Sequence, residues 1–158
     1  MRLDSRLPLA HAQLGWVLLW KGQHDAAIAE FERAFALNPN FIDYRFDQVL
    51  ILAGEPARAI EILEANMRLD PFPPFNAPLI AWANYMLKRY GEAVRSARES
   101  TLRLPNLQFP HLNLACAYAQ LGQLEEARKE TREVLRINPG FTIERFQKRQ
   151  AVYKDPPG

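Results

Sequence analysis

Apolar residues recur along this chain at the spacing of a helix face, as in Ala27, Ile28, Phe31, Ala34 and Phe35, and again in Ala59, Ile60, Leu63 and Met67. Each such run ends at a proline: Phe35 to Pro39, Met67 to Pro71, Leu102 to Pro105 and Leu135 to Pro139. A residue before proline is pushed out of the α region, so a helix reaching Asn38, Asp70, Leu104 or Asn138 must stop there. The prolines lie 32, 34 and 34 residues apart, and Ser5 precedes the first by 34. That spacing is an internal repeat.

The repeat has further fixed points. An alanine stands twelve residues before each proline, at Ala27, Ala59, Ala93 and Ala127, where a small side chain lets two helices approach closely. Five residues before three of these alanines comes a glycine, Gly22, Gly54 or Gly122, while Lys88 takes its place in the third unit. Glycine permits the positive φ that ends one helix and turns the chain back. A second helical run precedes each glycine, seen most plainly from Leu14 to Leu18 and from Leu112 to Tyr118. Each unit is therefore predicted to be two antiparallel helices of about 12 to 14 residues, about 20 Å long, that bury their apolar faces only by stacking on neighbours.

The units are expected at about 8–39, 40–71, 74–105 and 108–139, forming one domain over 1–150 with a capping helix at about 142–150 and a disordered tail at 151–158. Thr142 supplies the N-cap of that last helix. Met1 to Ser5 repeats the phase of Met67 to Pro71, so the chain is expected to begin inside the last turn of an earlier unit.

These positions resemble the tetratricopeptide repeat. Unit one matches best, with Leu14, Gly15, Leu18, Gly22, Ala27, Phe31, Ala34 and Pro39. Unit four offers Leu114, Ala115, Tyr118, Gly122, Ala127, Val134 and Pro139, departing at Thr131. Units two and three are weaker in their first helix, and Asp47 puts a charge where a small packing residue is expected, so a looser contact is expected there. The resemblance implies an all-α, right-handed α-solenoid of four units. The runs beginning at Gly54, Met67, Lys88, Leu114 and Asn138 further resemble the C-terminal repeat region of bacterial class III adenylate/guanylate cyclases, and similar arrays follow winged-helix regulators. That resemblance implies a cytoplasmic, non-catalytic piece of a larger signalling protein.

Composition narrows the chemistry. The chain has 158 residues, 20 Lys+Arg against 18 Asp+Glu, three His and one Cys. Cys116 alone forms no internal disulfide, and a single Cys cannot supply the usual structural zinc sets, which take two to four Cys. No 18-residue apolar run is present to cross a membrane, and a formal charge of +2 gives no case for nucleic acid. Basic residues gather in the second half, but Glu130, Glu133 and Glu144 interleave with them, as on an ordinary solvated face. No catalytic, cofactor-binding or metal-binding residue is assigned. His11 and His111 are read as packing residues, His24 as a surface residue near a helix start, Cys116 as an apolar lining residue, and Glu125 and Glu126 as acids favoured by the helix dipole.

The binding signal lies in the first helices. Positions 2, 5, 9 and 12 of each unit form one stripe, which in this architecture lines the concave face. The residues assigned to a partner-binding groove are Ala12, Trp16, Leu19, Phe41, Tyr44, Gln48, Phe75, Trp82, Tyr85, Phe109, Leu112 and Cys116. Phe41, Phe75 and Phe109 recur every 34 residues and are expected either to form a ladder along one edge or to pack against the preceding unit. Such a strip suits an apolar helix or extended peptide. The carboxylate-clamp pattern is absent, because Ala12, Trp16, Arg45, Phe75 and Leu79 stand at its positions. The expected partner is a protein or peptide; the alternative is a structural or dimerisation module packing on itself or on its parent's catalytic or DNA-binding domain.

Overall fold

The computed structural model describes residues 7–69 and 76–150. Among them every regular element is an α-helix: α1 (Pro8–Trp20), α2 (His24–Leu37), α3 (Arg45–Leu52), α4 (Pro56–Leu69), α5 (Asn76–Met86), α6 (Tyr90–Arg103), α7 (Gln108–Gln120), α8 (Leu124–Ile137) and α9 (Ile143–Gln150). The helix ends fall where the prolines and turn residues place them. The expected ladder member Phe75 and the tail 151–158 lie outside the described residues. The described residues fall into two compact parts, a first holding 7–55 and Gln150 and a second holding 56–69 and 76–149, with the chain passing from one to the other between α3 and α4.

The turn joining the two helices of a unit is one repeated device. After α1, the Gly22 and Gln23 N–H groups donate to the carbonyls of Leu19 (2.8 Å) and Leu18 (3.0 Å), and the same pair of bonds closes α3, α5 and α7. This termination needs a residue in the left-handed region, which Gly22 (φ 72°), Gly54 (φ 86°) and Gly122 (φ 72°) supply without strain. After α5 the same conformation is forced on Lys88, at φ 59°. The fold imposes the turn even where the residue resists it.

In the first part, α1 packs on α2, and α3 packs on both. Gly15 makes the α1–α2 approach possible, since a Cβ there would lie 2.7 Å from Phe31 Cδ2 and 2.9 Å from the Ala27 carbonyl oxygen. Phe46 of α3 meets Phe31 of α2 at a tilt (5.5 Å between centroids) and Phe35 edge-on (5.1 Å), each pair adding about 0.5–1.5 kcal/mol beyond area burial. At 8 residues α3 is shorter than predicted. Its unit is two residues shorter, and Asp43 accepts the Arg45 backbone N–H (3.0 Å) while gripping the Arg45 guanidinium, which starts the helix late.

The second part is a chain of paired helices, α4 on α5, α5 on α6, α6 on α7 and α7 on α8. Ala81, Ala97, Leu114, Tyr118 and Ala127 form its core. Two polar bonds fix the register: Asn113 Nδ2 donates to the Pro78 carbonyl (3.1 Å), and Arg98 Nε to the Tyr118 hydroxyl (2.7 Å). The Thr142 hydroxyl accepts the Arg145 backbone N–H (3.2 Å), capping α9 as its sequence predicts.

Candidate functional site

Position 9 of the four units carries Trp16, Gln48, Trp82 and Cys116, and all four side chains are half-buried, each leaving part of its surface open. Phe41, Tyr44, Tyr85, Phe109 and Leu112 are half-buried too. Two residues of the predicted groove are corrected: Ala12 and Leu19 are completely buried. They lie one turn either side of Gly15 on the stripe of α1 that meets α2, so they belong to the α1–α2 core.

Two of the three recurring phenylalanines lie among the described residues, and each makes a local ring contact. Phe41 leans on Phe35, with centroids 6.0 Å apart, and Phe109 meets Trp82 edge-on at 5.6 Å and 90°. The Phe41 pair is the packing against a preceding helix that the sequence left open. In the first part Trp16 stands edge-on to Trp20 at 5.7 Å, and Trp20 itself is 53% exposed.

The best-formed patch is in the second part, where Trp82 and Tyr85 of α5 adjoin Phe109 and Cys116 of α7. The Tyr85 hydroxyl is hydrogen-bonded to the Gln120 side chain. Burial, then the negative charge Cys116 carries once it ionises, raises the phenol above its ordinary value, and burial also pushes the Cys116 thiol up. Cys116 is thus held as a neutral thiol, the opposite of a nucleophilic cysteine. The patch offers aromatic area with a hydroxyl and an amide at its edge. It can bury an apolar segment and hydrogen-bond a backbone.

A wider feature lies outside the stripe pattern. The helices α1, α5 and α7 contain no Asp, Glu, Lys or Arg at all, whereas the second helices α2, α4, α6 and α8 each carry several. Charge counted helix by helix would have revealed it from the sequence.

The histidines are also corrected. His11 and His111 are cross-helix hydrogen-bonding groups as well as packing residues: His11 Nδ1 lies 2.6 Å from Glu30 Oε2, and His111 Nδ1 lies 2.6 Å from Glu130 Oε2. His111 Nε2 lies 3.1 Å from the Pro105 carbonyl oxygen, which can only accept. The His-to-Glu spacing of 19 residues, present twice, was the missed signal. His24 is buried, not superficial, and its Nδ1 has no hydrogen-bond partner. Asp47 is buried with Oδ1 unpartnered, and desolvation, then the nearby Asp43 charge, raises its carboxyl from 3.8 to about 7. Among the described residues, no group of three or more His, Cys, Asp or Glu is placed to hold a metal, and no helix is long and apolar enough to cross a membrane.

Helices paired through left-handed turns, with a small residue at the α1–α2 close approach, define an all-α helical-repeat fold. Residues 8–41 and 109–141 match the family model described as tetratricopeptide repeat. The fold is similar to that of MamA from Desulfovibrio magneticus RS-1 (TM-score 0.71, 19% identity, covering 85% of this chain and 77% of that one). It is also similar to TTC0263, a thermophilic tetratricopeptide protein of Thermus thermophilus (TM-score 0.73, 22% identity, 84% and 75% covered). A third similar structure is YrrB, described as a tetratricopeptide protein with an unusual peptide-binding site (TM-score 0.67, 19% identity, 92% and 76% covered). Comparison with curated proteins gives no match.

Proposed function

We propose that this chain is a non-catalytic protein-interaction module that receives an apolar helix or extended peptide on the charge-free helices α5 and α7, with the patch of Trp82, Tyr85, Phe109 and Cys116 as the anchor. One observation carries the reading: Trp82 and Phe109 meet edge-on yet remain partly open, on helices without a charged side chain. Large rigid aromatics in a dry setting are the residues from which binding hot spots are built. The peptide-binding description of YrrB agrees with this use of the fold.

Leu112 is proposed as further lining of this patch, Trp16, Phe41, Tyr44 and Gln48 as a separate binding surface of the first part, and the tetratricopeptide array as a cytoplasmic part of a larger signalling protein. A nucleotide-cyclase parent rests on the resemblance of the sequence runs alone. A photo-crosslinking side chain placed at position 82 should capture a partner, while the same group at Leu102, 85% exposed on α6, should not. Trp82→Ala should then weaken binding of that partner by about 1 kcal/mol or more. Equal capture from both positions would remove the patch as the site.

A further inference from the structure

Four first helices with a common register allow each position to be compared across the units. The position of Val17 is occupied by Val49 in α3, Ala83 in α5 and Ala117 in α7, all 0% exposed; Val17 is 48% exposed. The position of Leu14 holds Phe46, Ile80 and Leu114, at 4%, 9% and 1%, whereas Leu14 is 40% exposed. Leu18 is half-buried where Leu50 is at 0% and Tyr118 at 3%. In each internal case the cover is the preceding second helix: α2 on α3, α4 on α5, α6 on α7.

α1 has the same apolar residues at these positions, with no charged side chain anywhere along it, but nothing among the described residues covers them. Exposed apolar surface of this extent on an uncharged helix marks an interaction site.

We infer that the Leu14, Val17 and Leu18 face of α1 is a docking surface for a helical hairpin of the α5–α6 kind, whose second helix lies across α1 as α6 lies across α7. The chemistry of that occupant follows from the internal joint. Its covering helix presents small side chains at the places of Ala97 and Ser100, with an apolar residue at that of Val94. The Arg98 equivalent has no hydroxyl to meet, because Leu18 replaces Tyr118. Its first helix offers a backbone carbonyl like that of Pro78, which Gln13 can reach as Asn113 does. The entry geometry already matches, since Leu7 (φ −94°, ψ 119°) and Leu107 (φ −89°, ψ 118°) lead into α1 and α7 with the same conformation. This surface is separate from the aromatic patch and stands whether or not that patch binds a peptide.

The test tethers a hairpin of known fit: a copy of residues 76–107 fused directly ahead of Pro8, preserving the Leu107-to-helix junction. Thermal melts and amide exchange are compared for the native chain and the fusion, each with and without Val17→Glu. The expected result is a higher melting midpoint and slowed exchange in α1 of the fusion. Val17→Glu should abolish both gains while leaving the midpoint of the native chain nearly unchanged. No gain in the fusion, or a gain that survives Val17→Glu, overturns the inference. Sedimentation of the native chain supplies the other arm: a self-associated species dispersed by Val17→Glu would overturn it in favour of a second copy as the occupant. A monomer whose α1 amides are protected only in the fusion supports it.

Discussion

Lys88 occupies a turn that the other three units give to glycine, and replacing it with glycine should stabilise the protein. A side chain in the left-handed region costs roughly 1–2 kcal/mol through the clash of Cβ with the following carbonyl. The greater freedom of glycine in the unfolded chain takes back about 0.5–1 kcal/mol. The net gain expected for Lys88→Gly is therefore about 0.5–1 kcal/mol, a rise of about 1–4 °C in melting midpoint for a chain of this size. Lys88 is exposed, so little packing is lost. The converse change is Gly122→Ala. A Cβ at Gly122 meets nothing within 4 Å, so any loss there comes from the backbone at φ 72° and not from crowding. Urea and thermal melts of both variants decide the matter. If Lys88→Gly is neutral or destabilising while Gly122→Ala costs nothing, left-handed strain is not what distinguishes these turns.

Three further outcomes are expected. Gly15→Ala should destabilise by about 1–3 kcal/mol, because its Cβ would press on Phe31 and on the rigid Ala27 carbonyl, whereas Gly91→Ala in α6, facing open space, should be neutral or stabilising in the same urea titration. The Asp47 carboxyl is raised in the fold, so the folded state holds its proton more tightly than the unfolded chain; stability should fall as pH rises from about 4 through about 7, by about 4 kcal/mol in total. Asp47→Asn should flatten that slope in melts taken across the range, and an unchanged slope would mean that the carboxylate escapes its burial. His111→Phe should cost about 3 kcal/mol or more by leaving Glu130 without its partner, and adding Glu130→Leu should restore much of the loss if the pair, not the imidazole's volume, is what matters.

The fold was legible because its punctuation is chemical. Prolines at 39, 105 and 139 end helices by sterics, and the glycines at 22, 54 and 122 turn the chain by φ, so helix pairs could be placed without any tertiary information. The late start of α3 was not legible, since it depends on Asp43 capturing both the backbone and the side chain of Arg45. The candidate site was half legible. Stripe membership identified Trp16, Gln48, Trp82 and Cys116 as partly open, but Ala12 and Leu19 turn inward because α1 is rotated so that Gly15 meets Phe31. The histidine–glutamate pairs were missed because each residue was weighed on its own helix, while their meaning lies 19 residues away on the next.

The partition of charge between alternate helices has a consequence for how such a module meets its surroundings. The second helices carry the charges that answer to dissolved ions, while α1, α5 and α7 offer counterions nothing to hold. Added salt should therefore thin the electrostatic cloud around the molecule and leave binding at the proposed aromatic patch almost untouched. The charge of α6 and α8 and the aromatic area of α5 and α7 reside in different helices and can be altered one at a time.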